Sequence, residues 1–151
     1  MDSSSLKQTD ILLIEDNPDD EELALIAMRS WKTASQVTVI RDGAEALDYV
    51  LAKGKHSGRS ARRKPQLVLL DLKLPKIGGL EVLKALRSNA DTMYIPVVVL
   101  TTSSQDEDIS ACYRSGANSY VRKPVEFDKF VKAIQQLESY WLTWNEVPQN
   151  A

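Results

Sequence analysis

Leu67-Val68-Leu69-Leu70-Asp71-Leu72-Lys73-Leu74-Pro75 decides how the chain is read: four apolar residues run into one aspartate, and a proline soon follows. A strand covered on both faces of a parallel sheet carries such an unbroken apolar run, whereas a half-solvated strand alternates. Ligands of parallel sheets collect at the carboxyl ends of the strands, so Asp71 stands where chemistry is expected. An aspartate after a strand is also an ordinary turn former, and the rest of the chain has to separate the two readings.

Working outward, two more stretches repeat the pattern. Ile11 to Ile14 runs into Glu15-Asp16-Asn17-Pro18-Asp19-Asp20, and Val97-Val98-Val99-Leu100 runs into Thr101-Thr102-Ser103-Ser104. Val37, Val39 and Ile40 mark a shorter strand, and Ser119 to Arg122 another that ends at Lys123-Pro124. Helical patterns lie between them. Asn17 is placed to cap a helix with Pro18 in its first turn and acidic residues Asp19 to Glu22 at its positive end. That helix is expected to reach about Lys32, with Leu23, Ile26, Ala27 and Trp31 facing inward. Asp42-Gly43 opens a second helix carrying Ala46, Leu47 and Val50, which Gly54 stops. Leu80, Leu83, Ala85 and Leu86 mark a third, ended by Asn89, and Asp106 to Ser115 a fourth, ended by Gly116. Phe127, Phe130, Val131, Ile134 and Leu137 form the amphipathic stripe of a fifth, extending toward Trp141.

Five strands alternating with five helices imply a doubly wound parallel α/β sheet, because parallel neighbours need long crossovers of one hand. The expected strand order is 2-1-3-4-5. The domain is expected over residues 10–144, with a polar lead at 1–9 and a tail at 145–151. A chain of 151 residues can bury one core without staples, and no second output domain is expected beside it.

Composition narrows the function classes. With 19 basic and 21 acidic residues the net charge is −2, which argues against nonspecific attraction to nucleic acid. The one basic run, Lys53 to Lys64, contains Lys53, Lys55, Arg59, Arg62, Arg63 and Lys64 but no aromatic residue for stacking bases, and reads as a solvated connection. His56, the sole histidine, sits in that run without a second ligand nearby and reads as a surface residue. Cys112 is the only cysteine, so disulfides within the chain and cysteine-based zinc sites are excluded and a reduced, cytoplasmic setting is expected. Cys112 itself reads as a packing residue. No apolar stretch is long enough to span a bilayer, and the N-terminus lacks the basic start and apolar run of a secretory signal.

The expected topology brings Glu15, Asp16, Asp71, Thr101 and Lys123 to one edge of the sheet from four different strands. Carboxylates gathered there repel; at an effective dielectric near 20, a pair about 4 Å apart costs on the order of 4 kcal/mol. A divalent cation relieves this, and an all-oxygen donor set favours Mg²⁺ over zinc. Lys123 and Thr101 offer a cation and a hydroxyl donor to phosphoryl oxygens, and Asp71 an attacking carboxylate. Together these residues describe phosphorylation of an aspartate.

In this order of motifs, Glu15-Asp16, then Asp71 with Pro75 and Gly79, then Thr101, then Lys123-Pro124, the chain resembles a response-regulator receiver domain of two-component signalling, over nearly its whole length. The resemblance implies the flavodoxin-like receiver fold, with Asp71 as phosphoacceptor. It implies Mg²⁺ held by Asp16, Asp71 and the Lys73 backbone carbonyl, with Glu15 acting mainly through water, and Lys123 and Thr101 contacting the phosphoryl group. Tyr120 matches the family's switch aromatic, and the Lys123-Pro124 peptide is expected to be cis. Glu15 departs from the commoner aspartate of the family by one methylene. Lys73 and Ser103 flank the route by which water reaches the phosphoryl group in this family.

Glu15 to Asp20 and Tyr140-Trp141-Leu142-Thr143-Trp144-Asn145-Glu146-Val147-Pro148 further resemble the single-domain response regulators that partner bacterial, especially cyanobacterial, phytochrome histidine kinases. The expected partner is therefore a sensor histidine kinase of phytochrome type, with no membrane and no nucleic acid. Trp141 and Trp144 read either as a packed helix end or as an aromatic surface for a homodimer or partner. Two other functions stay open. One is a phosphorylation-independent dimeric scaffold. The other is a metal-dependent phosphatase with an aspartyl intermediate, whose family expects a second aspartate where Lys73 stands.

Overall fold

The computed structural model describes residues 9–31, 35–59 and 64–148. Five strands, β1 (Thr9–Ile14), β2 (Ser35–Ile40), β3 (Leu67–Leu70), β4 (Val97–Thr101) and β5 (Ser119–Arg122), form one parallel sheet in the order β2-β1-β3-β4-β5. They alternate with the helices α1 (Pro18–Met28), α2 (Gly43–Leu51), α3 (Gly79–Ser88), α4 (Asp106–Arg114) and α5 (Phe127–Leu137). This is the doubly wound α/β sheet expected from the alternation of elements.

The apolar runs of β1, β3 and β4 are continuous because each residue pair serves both faces. Leu12, Ile14, Val68, Leu70, Val97 and Val99 pack with Ala46 and Val50 of α2, Val82, Leu83 and Leu86 of α3, and Cys112 of α4. Ile11, Leu13, Leu67, Leu69, Val98 and Leu100 point the other way, against Ala24, Ala27 and Met28 of α1 and Phe130, Ile134 and Leu137 of α5. All four residues of β3 are fully buried, each worth roughly 1.5–3 kcal/mol relative to exposure. Burial on both faces therefore anchors the strand that carries Asp71.

Local chemistry sets the helix starts. Asn17 Oδ1 accepts from the N–H groups of Asp19 and Asp20, so α1 begins at Pro18, directly after the acidic pair. Asp42 Oδ1 accepts from Glu45 N at 2.7 Å and starts α2. Gly79, at the first turn of α3, lies so close to the end of β3 that a Cβ there would stand 2.3 Å from the Asp71 carbonyl oxygen. Only glycine lets α3 start this tightly against the loop that presents Asp71.

Several details differ from the sequence reading. Helix α1 ends at Met28 rather than near Lys32, a residue outside those described, and its buried face is Ala24, Ala27 and Met28, leaving Leu23 42% exposed. The small alanines let α1 lie close to the sheet, and the larger Leu23 falls outside that contact. Trp31 is half-buried rather than core, its Nε1 donating to the Ile134 carbonyl at 3.1 Å. Phe127, at the start of α5, is 42% exposed, so the inward stripe begins at Phe130. Helix α2 stops at Ala52, in the left-handed conformation, ahead of Gly54. A π-type turn, Glu138–Trp144, extends α5 beyond Trp141. Trp144 is 74% exposed, and Trp141 packs partly against the α1–α5 side of the core.

His56 is not a plain surface residue. It is half-buried, with Nε2 3.0 Å from Glu45 Oε2 and its ring edge-on to Tyr49. The Arg59 guanidinium stacks over the Tyr49 ring, 3.8 Å from its centroid, and Lys55 pairs with Glu45 at 3.1 Å. Lys55, His56 and Arg59 of the basic run thus fold onto α2, because Glu45 and Tyr49 stand one turn apart on it. Arg62 and Arg63 lie outside the described residues. No described helix is long and apolar enough to cross a membrane.

Candidate functional site

At the carboxyl edge of the sheet, β1, β3 and β5 deliver their following residues to one place. Glu15, Asp16 and Asp71 each offer a carboxylate oxygen, and these oxygens lie within 4.8 Å of one another. Glu15 is buried, Asp71 partly buried and Asp16 exposed. The backbone fixes this arrangement, since Glu15 N donates to the Ile40 carbonyl and Asp71 N to the Ile14 carbonyl, continuing the sheet one residue past the strands. Three carboxylates from two adjacent loops, with no sulfur or nitrogen among them, fit a hard divalent cation with open positions left for water and substrate oxygens.

Lys123 supplies the counter-charge. Its Nζ lies 2.7 Å from Glu15 Oε1, 3.1 Å from Asp20 Oδ2 and 3.5 Å from Asp71 Oδ2, with the side chain only 9% exposed. Lys123 N also donates to the Thr101 carbonyl, which ties the end of β5 to β4. Burial pushes the Glu15 carboxyl up to about 7, assisted by the neighbouring Asp71 and opposed by Lys123. Burial also works against the charge on Lys123, but the carboxylates of Glu15 and Asp71 outweigh it and hold the ammonium above its usual range. At neutral pH the site therefore keeps its lysine charged while Glu15 is poised between forms.

Thr101 closes β4 and is 1% exposed. It lines a cavity of about 230 Å³ together with Leu72, Lys73, Leu80, Ser103, Asp108, Ala111 and Cys112. Lys73 N donates to Asp71 Oδ1 at 3.3 Å, and the Lys73 side chain is exposed. Tyr120 is half-buried on β5 and its hydroxyl donates to the Ser103 carbonyl at 2.9 Å; Ser103 Oγ in turn donates to Asp108 Oδ2 at 2.5 Å. The loop after β4 is thereby fastened to both β5 and α4. Cys112 is fully buried in the core, and burial raises its thiol above the usual range.

One expectation about the site is corrected. The described residues contain no cis peptide, so Lys123-Pro124 is trans. Trans is the lower-energy isomer before proline, and here it is compatible with Lys123 reaching all three carboxylates. One residue of the site escaped the sequence reading. Asp20 looked like one of several acidic residues suited to a helix start, yet its carboxylate holds the Lys123 ammonium. The sequence puts Asp19 to Glu22 in the first turns of α1, and which of them meets the lysine depends on the path of the Lys123 side chain past Glu15, which spacing does not specify.

The chain matches the family model of the response regulator receiver domain over residues 11–135. It belongs to the response-regulator receiver family. Among curated relatives, the probable methanogenesis regulatory protein FilR2 of Methanothrix harundinacea is 40% identical, over 91% of this chain and 86% of its own length. Response regulator Rcp1 of Synechocystis is 36% identical over 91% of this chain and 92% of its own, and the Mn²⁺-bound form of Rcp1 superposes with a TM-score of 0.84 at 35% identity, covering 93% and 99% of the two chains. The phosphorylated cyanobacterial phytochrome response regulator RcpA superposes with a TM-score of 0.87 at 34% identity, covering 94% of this chain and 99% of that one.

Proposed function

We propose that this protein accepts a phosphoryl group on Asp71 from the phosphohistidine of a sensor kinase and relays the change through the loop after β4. The observation that carries the reading is the Lys123 ammonium, held within 3.5 Å of an Asp71 carboxylate that shares one edge with Glu15 and Asp16. An Asp71 oxygen attacks phosphorus, a P–O bond forms, the P–N bond to the histidine breaks, and its electron pair stays on the departing imidazole. Lys123 neutralises charge building on the phosphoryl oxygens, and Thr101 offers a hydroxyl at the adjacent strand end. A Mg²⁺ ion bound by Asp16, Asp71 and the Lys73 carbonyl, with Glu15 through water, would supply charge stabilisation to the same oxygens. Tyr120, tied to the Ser103 carbonyl, is placed to sense movement of Thr101 and its loop.

The kinase is proposed to be of phytochrome type, supported by the likeness to the cyanobacterial phytochrome response regulator RcpA, and the protein to be cytoplasmic, in keeping with its single cysteine. Phosphotransfer profiling against candidate kinases tests this: fast, selective transfer from a phytochrome-type kinase supports it, and preference for an unrelated kinase contradicts it. A phosphorylation-independent dimeric scaffold draws support from Trp144 and Tyr140, 74% and 52% exposed. An association constant unchanged by beryllium fluoride would favour that second reading.

A further inference from the structure

The ammonium of Lys123 is shared unequally. It is closest to Glu15 at 2.7 Å, next to Asp20 at 3.1 Å, and farthest from Asp71 at 3.5 Å. Asp20 comes from α1, the helix whose start is fixed by the Asn17 cap, so its carboxylate is delivered by a rigid turn. It is also the outermost of the three partners, with its side chain 34% exposed against 12% for Asp71 and 4% for Glu15. Asp20 is not one of the three carboxylates clustered for a metal. Its polar contact with the site runs through Lys123.

We propose that Asp20 is a positioning residue that tethers the Lys123 ammonium toward α1 and so limits its hold on a phosphoryl group at Asp71. The inference rests on the phosphoacceptor reading of Asp71. A lysine has three N–H donors and no acceptor. One faces Glu15 and one Asp20, leaving the third, at the longest distance, for the Asp71 side. When Asp71 carries a phosphoryl group, the ammonium has to approach new oxygens farther from the strand end while the Asp20 carboxylate pulls it back. Removing that carboxylate frees the lysine to follow the phosphoryl group, which strengthens binding of the phosphorylated form and of its mimic.

The test compares Asp20→Asn, Asp19→Asn and wild type, each with and without Lys123→Met, using beryllium fluoride with Mg²⁺ as the probe and acetyl phosphate for the lifetime of the phosphorylated protein. Asp19 is exposed, and its N–H bonds to Asn17. Asp19→Asn therefore removes the same charge from the same turn without touching the tether. Asp20→Asn is expected to tighten beryllium fluoride binding and lengthen the phosphoryl lifetime by roughly threefold to tenfold, the lower part of the coupling range for groups in contact. Asp19→Asn is expected to change neither by more than about twofold, as for a screened surface charge. In the Lys123→Met background the Asp20→Asn effect should vanish, and Asp20→Glu should restore wild-type behaviour. Equal effects of Asp20→Asn and Asp19→Asn, or an effect that survives Lys123→Met, would overturn the tether while leaving Asp71 as phosphoacceptor. A wild type that takes up neither acetyl phosphate's phosphoryl group nor beryllium fluoride would overturn both.

Discussion

Replacing Lys123 by methionine keeps the aliphatic stem and removes the one cation among three carboxylates. The contacts at 2.7, 3.1 and 3.5 Å each carry several kcal/mol of gross attraction at an effective dielectric near 20, but most of that is offset by desolvation of a side chain only 9% exposed. Removing one partner of such a pair, and stranding the other, costs about 3–5 kcal/mol when the stranded charge has no escape. Glu15 has an escape. Burial and Asp71 already push it up to about 7, and Lys123 was opposing that rise, so without the lysine it takes up a proton more readily. The cost should therefore depend on pH: about 3 kcal/mol at pH 8, where an ionised Glu15 is stranded or has to take up a scarce proton, and about 1 kcal/mol less at pH 6, where the proton is at hand. Urea unfolding followed by tryptophan fluorescence, in EDTA, reads both values. Saturating Mg²⁺ should recover part of the loss at pH 8, because a cation replaces the missing charge. A loss below about 0.5 kcal/mol at pH 8, or the same loss at both pH values, would refute the reasoning.

Glu15 makes the wild type pH-dependent as well. Its carboxyl is raised from 4.5 to about 7 in the folded protein, so the folded state binds the proton more tightly. The stability it contributes is complete below pH 4.5 and is lost as pH rises through 7, by up to about 3 kcal/mol in the absence of metal; denaturation curves at pH 5.5 and 8 in EDTA check it. Because Mg²⁺ needs the ionised form, its affinity should be about tenfold weaker at pH 6 than at pH 8, with proton release on binding measurable by calorimetry in buffers of different ionisation enthalpy. Asp16→Asn should raise metal-free stability by about 0.5–1 kcal/mol, by relieving repulsion within the cluster, while weakening Mg²⁺ binding. Gly79→Ala should destabilise by about 2–4 kcal/mol and disturb metal binding with it, since the new Cβ would stand 2.3 Å from the Asp71 carbonyl.

What the sequence made legible follows from how each feature is encoded. The central strands announced themselves because burial on both faces demands an unbroken apolar run, and Leu67 to Leu70 is fully buried as that run implies. Strand order then placed Glu15, Asp16, Asp71 and Lys123 at one edge, and the structure gathers the three carboxylates within 4.8 Å of one another with the Lys123 ammonium 2.7 Å from Glu15 and 3.5 Å from Asp71. Contacts that depend on side-chain phase were less legible. Leu23 and Phe127 fit an apolar stripe by spacing yet lie exposed, because alanines rather than leucine set the approach of α1, and α5 meets the sheet one turn later. The bond from His56 to Glu45 joins a loop residue to a helix residue across a turn whose path no local pattern specifies. Asp20 belongs with these, since its role is visible only once the Lys123 side chain is seen to reach past Glu15 toward α1.

The most direct test of the central claim is intact-mass measurement after incubation with Mg²⁺ and acetyl phosphate. The wild type should gain a single phosphoryl group, labile to hydroxylamine as an acyl phosphate is, and Asp71→Asn should gain none under the same conditions. An unchanged wild-type mass despite verified donor turnover, or equal uptake by Asp71→Asn, would contradict it.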